Sequence, residues 1–436
     1  MMQVSAQRLK ISKVVLGLII AVTSALPMLF VQLDEPSTRL AVFKVLAKIG
    51  SLVGGMFLLW QFFLGFRAAV AAILPDLSWV VELHKKLGQF GTLIIPLHPI
   101  FIGIYYLEVF ERNIYDIDLT SSYSRAVLVG MVLLGIIAFV VISSAFFRQK
   151  MGFYRWLYTH LSSYLIPPLL IFHGFVLGGT IGGTPLWYIW WGLAGLMAVF
   201  YAYRLAHKIG LFSERLRVAR ADRVAAETTE VVMNSRGRLR PALGQFVYLR
   251  RRAADNAHPY TVSAYNQKDG IIGITAKKDG QQTTILQNVS PGVRLMVDGP
   301  YGVFTRVALS TDDPIVMIAG GIGITPFRRV WRLIEERRDR EAWLFYGNEF
   351  YEDIVYRDEI DALDHVHVVH VLNQEPDFPG EQGFITVDIL ARHLPRELQS
   401  YQFLLCGPPV MVLTLESALH ESDVPDDRVQ HELFSN

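Results

Sequence analysis

The sequence predicts a multidomain protein: a six-helix transmembrane bundle, then a small antiparallel β-barrel, then an α/β nucleotide-binding domain with a mainly parallel sheet. Three observations predict it. Near-continuous apolar stretches fill the chain before about position 207, whereas most of the charge follows it. Short alternating segments separated by turn residues come next. The last third alternates apolar strands with helix-length segments joined by glycine turns. The expected limits are 1–210, 211–310 and 311–436, and a chain of this length has material for three cores.

The distribution of apolar residues decides more than their average. The chain is 52% hydrophobic and 19% charged, values that a soluble domain can approach. The membrane reading rests instead on runs near 13–33, 41–66, 83–107, 125–147, 156–177 and 186–206. Each is close to the roughly 20 residues that cross about 30 Å of hydrocarbon. Glycines and prolines within them are compatible with helices, because neighbouring helices satisfy the disturbed backbone. Arg8, Lys10 and Lys13 before the first run resemble a cleaved leader. With five further runs behind it, that segment reads as the first membrane helix.

Charge in the connections orients the bundle. Arg8, Lys10, Arg67, Lys85, Lys86, Arg148, Lys150, Arg155, Arg204 and Lys208 fall on one side. Asp34, Glu35, Glu108, Glu111, Asp116, Asp118 and the neutral stretch Gly178–Gly183 fall on the other. Basic connections face the cytoplasm, so both termini are expected inside. Arg39, Lys44 and Lys48 on the second run depart from this pattern. A net charge of +1 offers no argument for nucleic-acid binding. Cys406 is the only cysteine, which excludes an internal disulfide and an all-cysteine iron–sulfur site.

Two histidine pairs lie in the third and fifth runs: His84 with His98, fourteen apart, and His160 with His173, thirteen apart. Either separation is about 20 Å along a helix. These two runs point the same way across the membrane. His84 and His160 therefore share the cytoplasmic depth, and His98 and His173 share the outer depth. Opposed neutral imidazoles suit a haem iron that transfers electrons and needs no open position. Each ring is expected to gain a hydrogen bond that fixes its tautomer. Helix capping or pairing with polar groups is the competing role for any single one, above all for His84 beside Lys85 and Lys86. Fourteen residues nearly restore a helical face but thirteen do not; Pro167 and Pro168 are expected to kink or rephase the fifth helix. His207, beside Lys208 at a helix end, reads as interfacial.

After Leu211, segments near 216–233, 245–250, 259–265, 271–277 and 293–297 read as strands. Ser235-Arg236-Gly237 and Lys278-Asp279-Gly280 read as turns between them. From Pro314 the expected strands are Ile315–Ala319, Ala342–Tyr346, Val366–Val371 and Phe403–Cys406. Helices at 325–338, 354–363, 386–394 and 408–420 alternate with them. Gly320-Gly321-Ile322-Gly323-Ile324-Thr325-Pro326-Phe327 forms a tight turn into a helix start, where small residues and free amides suit a pyrophosphate. A glycine turn also has purely structural uses, and this one is not GxGxxG. Leu405-Cys406-Gly407-Pro408-Pro409 is a second strand-to-helix turn, at the carboxyl edge where ligands bind. Cys406 either sits beside a nicotinamide or is a passive buried thiol; no adjacent base supports a thiolate catalyst.

Taken in order, His258-Pro259-Tyr260-Thr261-Val262-Ser263, Asp298-Gly299-Pro300-Tyr301-Gly302, Gly320–Phe327 and Cys406-Gly407-Pro408 are similar to the motifs of ferredoxin-reductase-like flavoproteins. With the four histidines, about 400 residues resemble the ferric-reductase/NADPH-oxidase superfamily. Compact connections and the lack of a calcium-binding extension suggest a bacterial member, in the inner membrane. The resemblance implies that His84 and His160 ligate an inner b-type haem and that His98 and His173 ligate an outer one. It implies flavin contacts at Tyr260, Thr261 and Ser263, with His258, Pro259 and Val262 in the same segment. Lys277, Gly280 and Thr283 would serve the FAD pyrophosphate, with Gly302 near the flavin. Lys277 stands where an arginine is usual, keeping the charge but losing the fork. Gly320, Gly321, Gly323, Thr325 and Pro326 would hold the pyridine nucleotide, with Cys406, Gly407 and Pro408 on its nicotinamide side. Phe434 would cover the isoalloxazine by reversible stacking; its alternative is a stray hydrophobe in the tail. Glu349 would disfavour a 2′-phosphate, with Arg328, Arg329 or Arg357 as compensation, so NADH and NADPH both stand.

The resulting expectation is an oxidoreductase in a lipid bilayer. It takes a hydride from NAD(P)H onto FAD and passes electrons through two haems to an extracytoplasmic acceptor, oxygen to give superoxide. Its alternatives are a ferric-chelate reductase, a membrane-anchored flavin reductase without transmembrane transfer, and a non-enzymatic haem or redox-sensing module. No obligatory protein partner is expected.

Overall fold

The structure, a computed structural model, describes residues 6–235 and 237–433. Lys10–Leu205 forms one compact unit, and the chain from Ala206 onward belongs to a second.

Six helical spans make the first unit: Gln7–Phe30, Thr38–Leu64, Leu77–Phe110, Ser122–Met151, Phe153–Leu177 and Leu186–Ile209. They overlap all six expected runs. Leu59, Leu133, Ile137, Ile166, Leu170 and Met197 pack in the bundle interior, while Leu29, Leu93, Val199 and Tyr188 are among the apolar side chains turned outward. That inversion suits a lipid surround. Two of the three cations that departed from the charge pattern pair with acids. Arg39 donates to Glu108 at 2.6 Å, and Lys44 bonds Glu35 at 2.5 Å and Asp34 at 3.3 Å.

Irregular turns phase the bundle. A π-helical turn, Ile49–Val53, interrupts the second span. Another, Ser143–Phe147, interrupts the fourth. In the fifth span, Phe153–His160 passes through a 3-10 segment, Leu161–Leu165, before Ile166–Leu177 resumes as α-helix with proline in its first turn. An α-helix turns about 100° per residue and a 3-10 helix about 120°. Five 3-10 residues therefore add about 100°, which returns His173 towards the face of His160. Rephasing was expected from Pro167–Pro168; the 3-10 segment before them performs it.

The second unit begins with a closed antiparallel barrel. Its strands are β1 (Glu214–Ala225), β2 (Thr228–Asn234), β3 (Phe246–Arg250), β4 (His258–Asn266), β5 (Ile271–Lys277) and β6 (Arg294–Tyr301), in the order β1-β2-β5-β4-β3-β6 with β6 pairing back to β1. The stretch expected as one strand over 216–233 is a hairpin instead. Its turn contains no glycine or asparagine; Glu227 takes the left-handed conformation at φ 50°. Lys278 holds it, through its amide to the Glu227 carbonyl and its ammonium to the carboxylate, both at 2.8 Å. A helix at Gln281–Gln287, not expected, joins β5 to β6.

The remainder is a six-stranded parallel sheet in the order β10-β9-β8-β7-β11-β12. The strands are β7 (Ile315–Gly320), β8 (Ala342–Asn348), β9 (Val366–Leu372), β10 (Glu381–Gln382), β11 (Gln402–Gly407) and β12 (Val429–Leu433). β7 and β11 are buried at every position, as parallel strands covered on both faces require. The strand order reverses between β7 and β11, and that switch point is where an open α/β sheet presents its ligand crevice.

Candidate functional site

In the membrane unit the four histidines form two facing pairs. Ring centroids are 6.3 Å apart for His84 and His160, and 6.2 Å for His98 and His173. Metal–imidazole bonds of about 2 Å on each side, with the ring centre about 1 Å further back, place opposed imidazoles about 6 Å apart. The Nδ1 atoms are tethered. His84 bonds the Gln61 carbonyl at 3.1 Å, His98 the Ala47 carbonyl at 3.3 Å, His173 the Ala126 carbonyl at 3.2 Å, and His160 the Ser144 hydroxyl at 3.3 Å. A carbonyl oxygen can only accept, so three rings carry their proton on Nδ1 and leave the Nε2 lone pair for a metal.

Small residues give the His98 and His173 rings their places. A Cβ on Gly130 would lie 2.5 Å from the His173 ring, and one on Gly50 would lie 2.3 Å from the His98 backbone nitrogen. The donor set, spacing and tautomers fit a bis-imidazole haem at each pair.

In the soluble unit the site is built mainly of backbone. Gly320 ends β7, and Gly321 takes φ 53° to start the turn Gly321–Ile324. A Cβ on Gly323 would lie 2.2 Å from the Cys406 carbonyl oxygen; one on Gly320 would lie 2.9 Å from Pro408 and one on Gly407 3.1 Å from the Gly320 amide. The two predicted loops therefore touch, and glycine is what lets them. Thr325 is buried and donates to the Ile322 carbonyl at 3.1 Å, bracing the turn ahead of Pro326. Cys406 is fully buried; burial and then Glu432 push its thiol up, so it stays protonated.

Along β4, Tyr260 and Val262 enter the barrel core, while Ser263 bonds Thr275 at 3.0 Å. The Thr261 hydroxyl is buried without a partner among the described residues. His258 is half-buried and Pro259 exposed. Lys277 lies 3.5 Å from Asp353, and Gly280 at φ 83° precedes the helix in which Thr283 accepts from the Asp279 amide at 2.6 Å. Gly302, at φ 96°, has its carbonyl held by Gln245 at 2.9 Å. Phe434 lies outside the described residues.

The structure adds Glu432, which the sequence reading passed over. It pairs with Cys406 across β11 and β12, and its carboxylate lies 3.7 Å from where a Gly302 Cβ would stand. Burial pushes its carboxyl up to about 8, and one oxygen has no hydrogen-bond partner among the described residues. Its signal was an acid two residues before the singled-out aromatic. Arg328 and Arg329, expected as candidates for a 2′-phosphate, are engaged elsewhere. Arg328 bridges Glu230 of β2 and Glu359, with its guanidinium 4.1 Å from the Tyr356 ring centre. Arg329 donates to the Pro241 and Ala242 carbonyls at 3.0 and 2.9 Å.

Residues 51–171 match the family described as ferric reductase like transmembrane component, and residues 317–416 match the oxidoreductase NAD-binding domain. These two components share one polypeptide with six candidate membrane spans. Over 149 residues it is 34% identical to NADH-cytochrome b5 reductase 1 of Eremothecium gossypii, covering 32% of this chain and 52% of that protein. Over 173 residues it is 32% identical to NADH-cytochrome b5 reductase 1 of Aspergillus terreus, covering 36% and 58%. The chain thus spans about half the length of the curated relatives it matches. A ferredoxin reductase in carbazole 1,9a-dioxygenase overlaps 51% of this chain and 69% of its own at 23% identity and a TM-score of 0.46.

Proposed function

We propose that the chain is a transmembrane NAD(P)H oxidoreductase that moves electrons through FAD and two b-type haems to an acceptor beyond the membrane. The observation that carries this reading is the two imidazole pairs at bis-ligand spacing with tethered Nδ1 atoms, in a chain that also carries a nicotinamide-type reductase module. When bound, FAD converts a two-electron hydride donor into single electrons that haem iron can accept. The protein's share is placement. Gly320, Gly321 and Gly323 open the backbone for the dinucleotide, Thr325 and Pro326 brace that turn, and Cys406, Gly407 and Pro408 form its opposite wall. Thr261 offers a buried hydroxyl to the flavin, with Tyr260, Ser263 and their neighbours His258, Pro259 and Val262 fixing the strand. Lys277, Gly280 and Thr283 serve the pyrophosphate, and Phe434 covers the ring.

NADH is the favoured donor. Arg328 and Arg329 are engaged, and Glu349 follows directly on β8, where an acid repels a 2′-phosphate. The names of the fungal relatives point the same way. The basic connections support a cytoplasmic dehydrogenase module with both termini inside; compact connections support a bacterial inner membrane. Oxygen, reduced to superoxide, is the acceptor supported by a Gly178–Gly183 stretch without chelating side chains. The match over 51–171 favours a ferric chelate as the second reading.

Anaerobic stopped-flow reduction of the FAD-loaded protein tests the route. NADH should bleach flavin before it reduces haem. His98→Ala should leave one haem per chain and an unchanged flavin reduction rate. Loss of flavin reduction in a folded His98→Ala protein, or haem that NADH never reduces, would contradict the route. Parallel assays of superoxide and ferric reduction decide the acceptor.

A further inference from the structure

One of the four histidines is held differently. Its three counterparts give their Nδ1 proton to backbone carbonyls, but His160 faces the Ser144 hydroxyl at 3.3 Å. That same oxygen accepts the Trp156 indole N–H at 3.1 Å. Ser144 lies within the π-helical turn Ser143–Phe147, and such turns frequently mark functional sites. Its neighbour Ser143 turns back on its own helix, donating to the Val140 carbonyl at 3.0 Å. The indole ring also packs on His160, with centroids 5.1 Å apart, and the Arg148 guanidinium lies 4.8 Å from the indole centre. A cation over the indole face draws electron density from it and makes the N–H a stronger donor.

We propose that Ser144 and Trp156 are positioning residues that set the potential of the inner haem through His160. The inference rests on the two-haem reading above. Ligation through Nε2 puts the proton of His160 on Nδ1, so Ser144 must accept from it. An oxygen that already accepts from Trp156 is a weaker acceptor than an amide carbonyl. A weaker pull on the Nδ1 proton leaves the imidazole less electron-rich, since outer partners tune ligand basicity and hence the metal. Less donation to iron stabilises the ferric form less. The outer pair has two carbonyl tethers, whereas the inner pair has one carbonyl and this hydroxyl. The asymmetry is therefore confined to the inner centre.

The test is a potentiometric titration of full-length protein in nanodiscs, followed by haem absorbance and ferric low-spin electron paramagnetic resonance. His98→Ala, which keeps only the inner signal, assigns the two centres. Ser144→Ala removes the acceptor and should move the inner potential positive while the outer stays fixed. Trp156→Phe keeps the ring packing but frees Ser144 to accept more strongly, so it should move the inner potential negative. Ser144→Thr retains the hydroxyl and should restore the wild-type value. Opposite signs from two neighbouring substitutions are not a result of general loosening. If Ser144→Ala sheds the inner haem, Trp156→Phe carries the test alone. Two haems retained with an unmoved inner potential, or equal shifts of both centres, would overturn the inference. Fewer than two haems per wild-type chain, by pyridine haemochrome, would instead sink the two-haem reading.

Discussion

The membrane unit and the soluble unit solve their placement problems with different materials. In the membrane unit, four side chains of one type make the candidate site, and helix phase brings them into pairs. In the soluble unit the candidate dinucleotide site is mostly absence: glycines at the ends of β7 and β11 where a single Cβ would collide with the facing loop. A side-chain site is readable from residue type and spacing. A backbone site is readable only as a glycine pattern, whose meaning depends on what packs opposite. The difference also predicts how each fails. Loss of an imidazole deletes one centre, whereas an added methyl closes a whole loop.

Gly323→Ala is the strongest way to probe that contrast. Its Cβ would lie 2.2 Å from the Cys406 carbonyl, and overpacking of this kind costs about 1–3 kcal/mol. Flavin reduction by NADH should fall roughly ten- to a hundredfold, since about 1.4 kcal/mol is a factor of ten, with haem content intact. Equal damage to the haem spectrum would break the proposed separation of the two units.

A different readout, stability rather than hydride transfer, tests the seam between barrel and sheet. Arg328→Ala leaves Glu230 and Glu359 without their shared cation. Burial would raise the Glu359 carboxyl, but Arg332 and Arg328 outweigh it and hold it below its ordinary value. Breaking such a buried network costs about 3–5 kcal/mol. Urea titration of the full-length protein, followed by FAD release, should reach its midpoint earlier. An unchanged midpoint would mean the bridge contributes nothing to the module.

Glu432→Gln should give the mildest change, seen in pH dependence. The buried carboxyl is pushed up to about 8 from an ordinary 4.5. Between those values the folded state keeps a proton that the unfolded state has released. Stability should therefore fall as pH rises across that window. Melting of the soluble module, tracked by flavin fluorescence from pH 5 to 8, should be flatter in Glu432→Gln. Parallel profiles would show that Glu432 does not hold that proton.

Several elements escaped the sequence for identifiable reasons. The hairpin inside 216–233 turns on Glu227 rather than on glycine or asparagine, so no local turn signal marked it. β12 is short and carries three consecutive polar residues, Gln430-His431-Glu432, and its partner β11 makes it a strand. Arg328 and Arg329 looked like free cations because their partners lie about 100 residues away, at Glu230 and at the Pro241 and Ala242 carbonyls.

From sequence alone came the six spans, the barrel followed by a parallel sheet, and the paired depths of the histidines, because hydropathy and periodicity are local properties of the chain. Tertiary structure alone decided which oxygen tethers each imidazole, how a 3-10 segment rephases His173, and that Glu432 stands against Gly302. Those depend on residues far apart in the chain, and no local pattern encodes what will lie opposite.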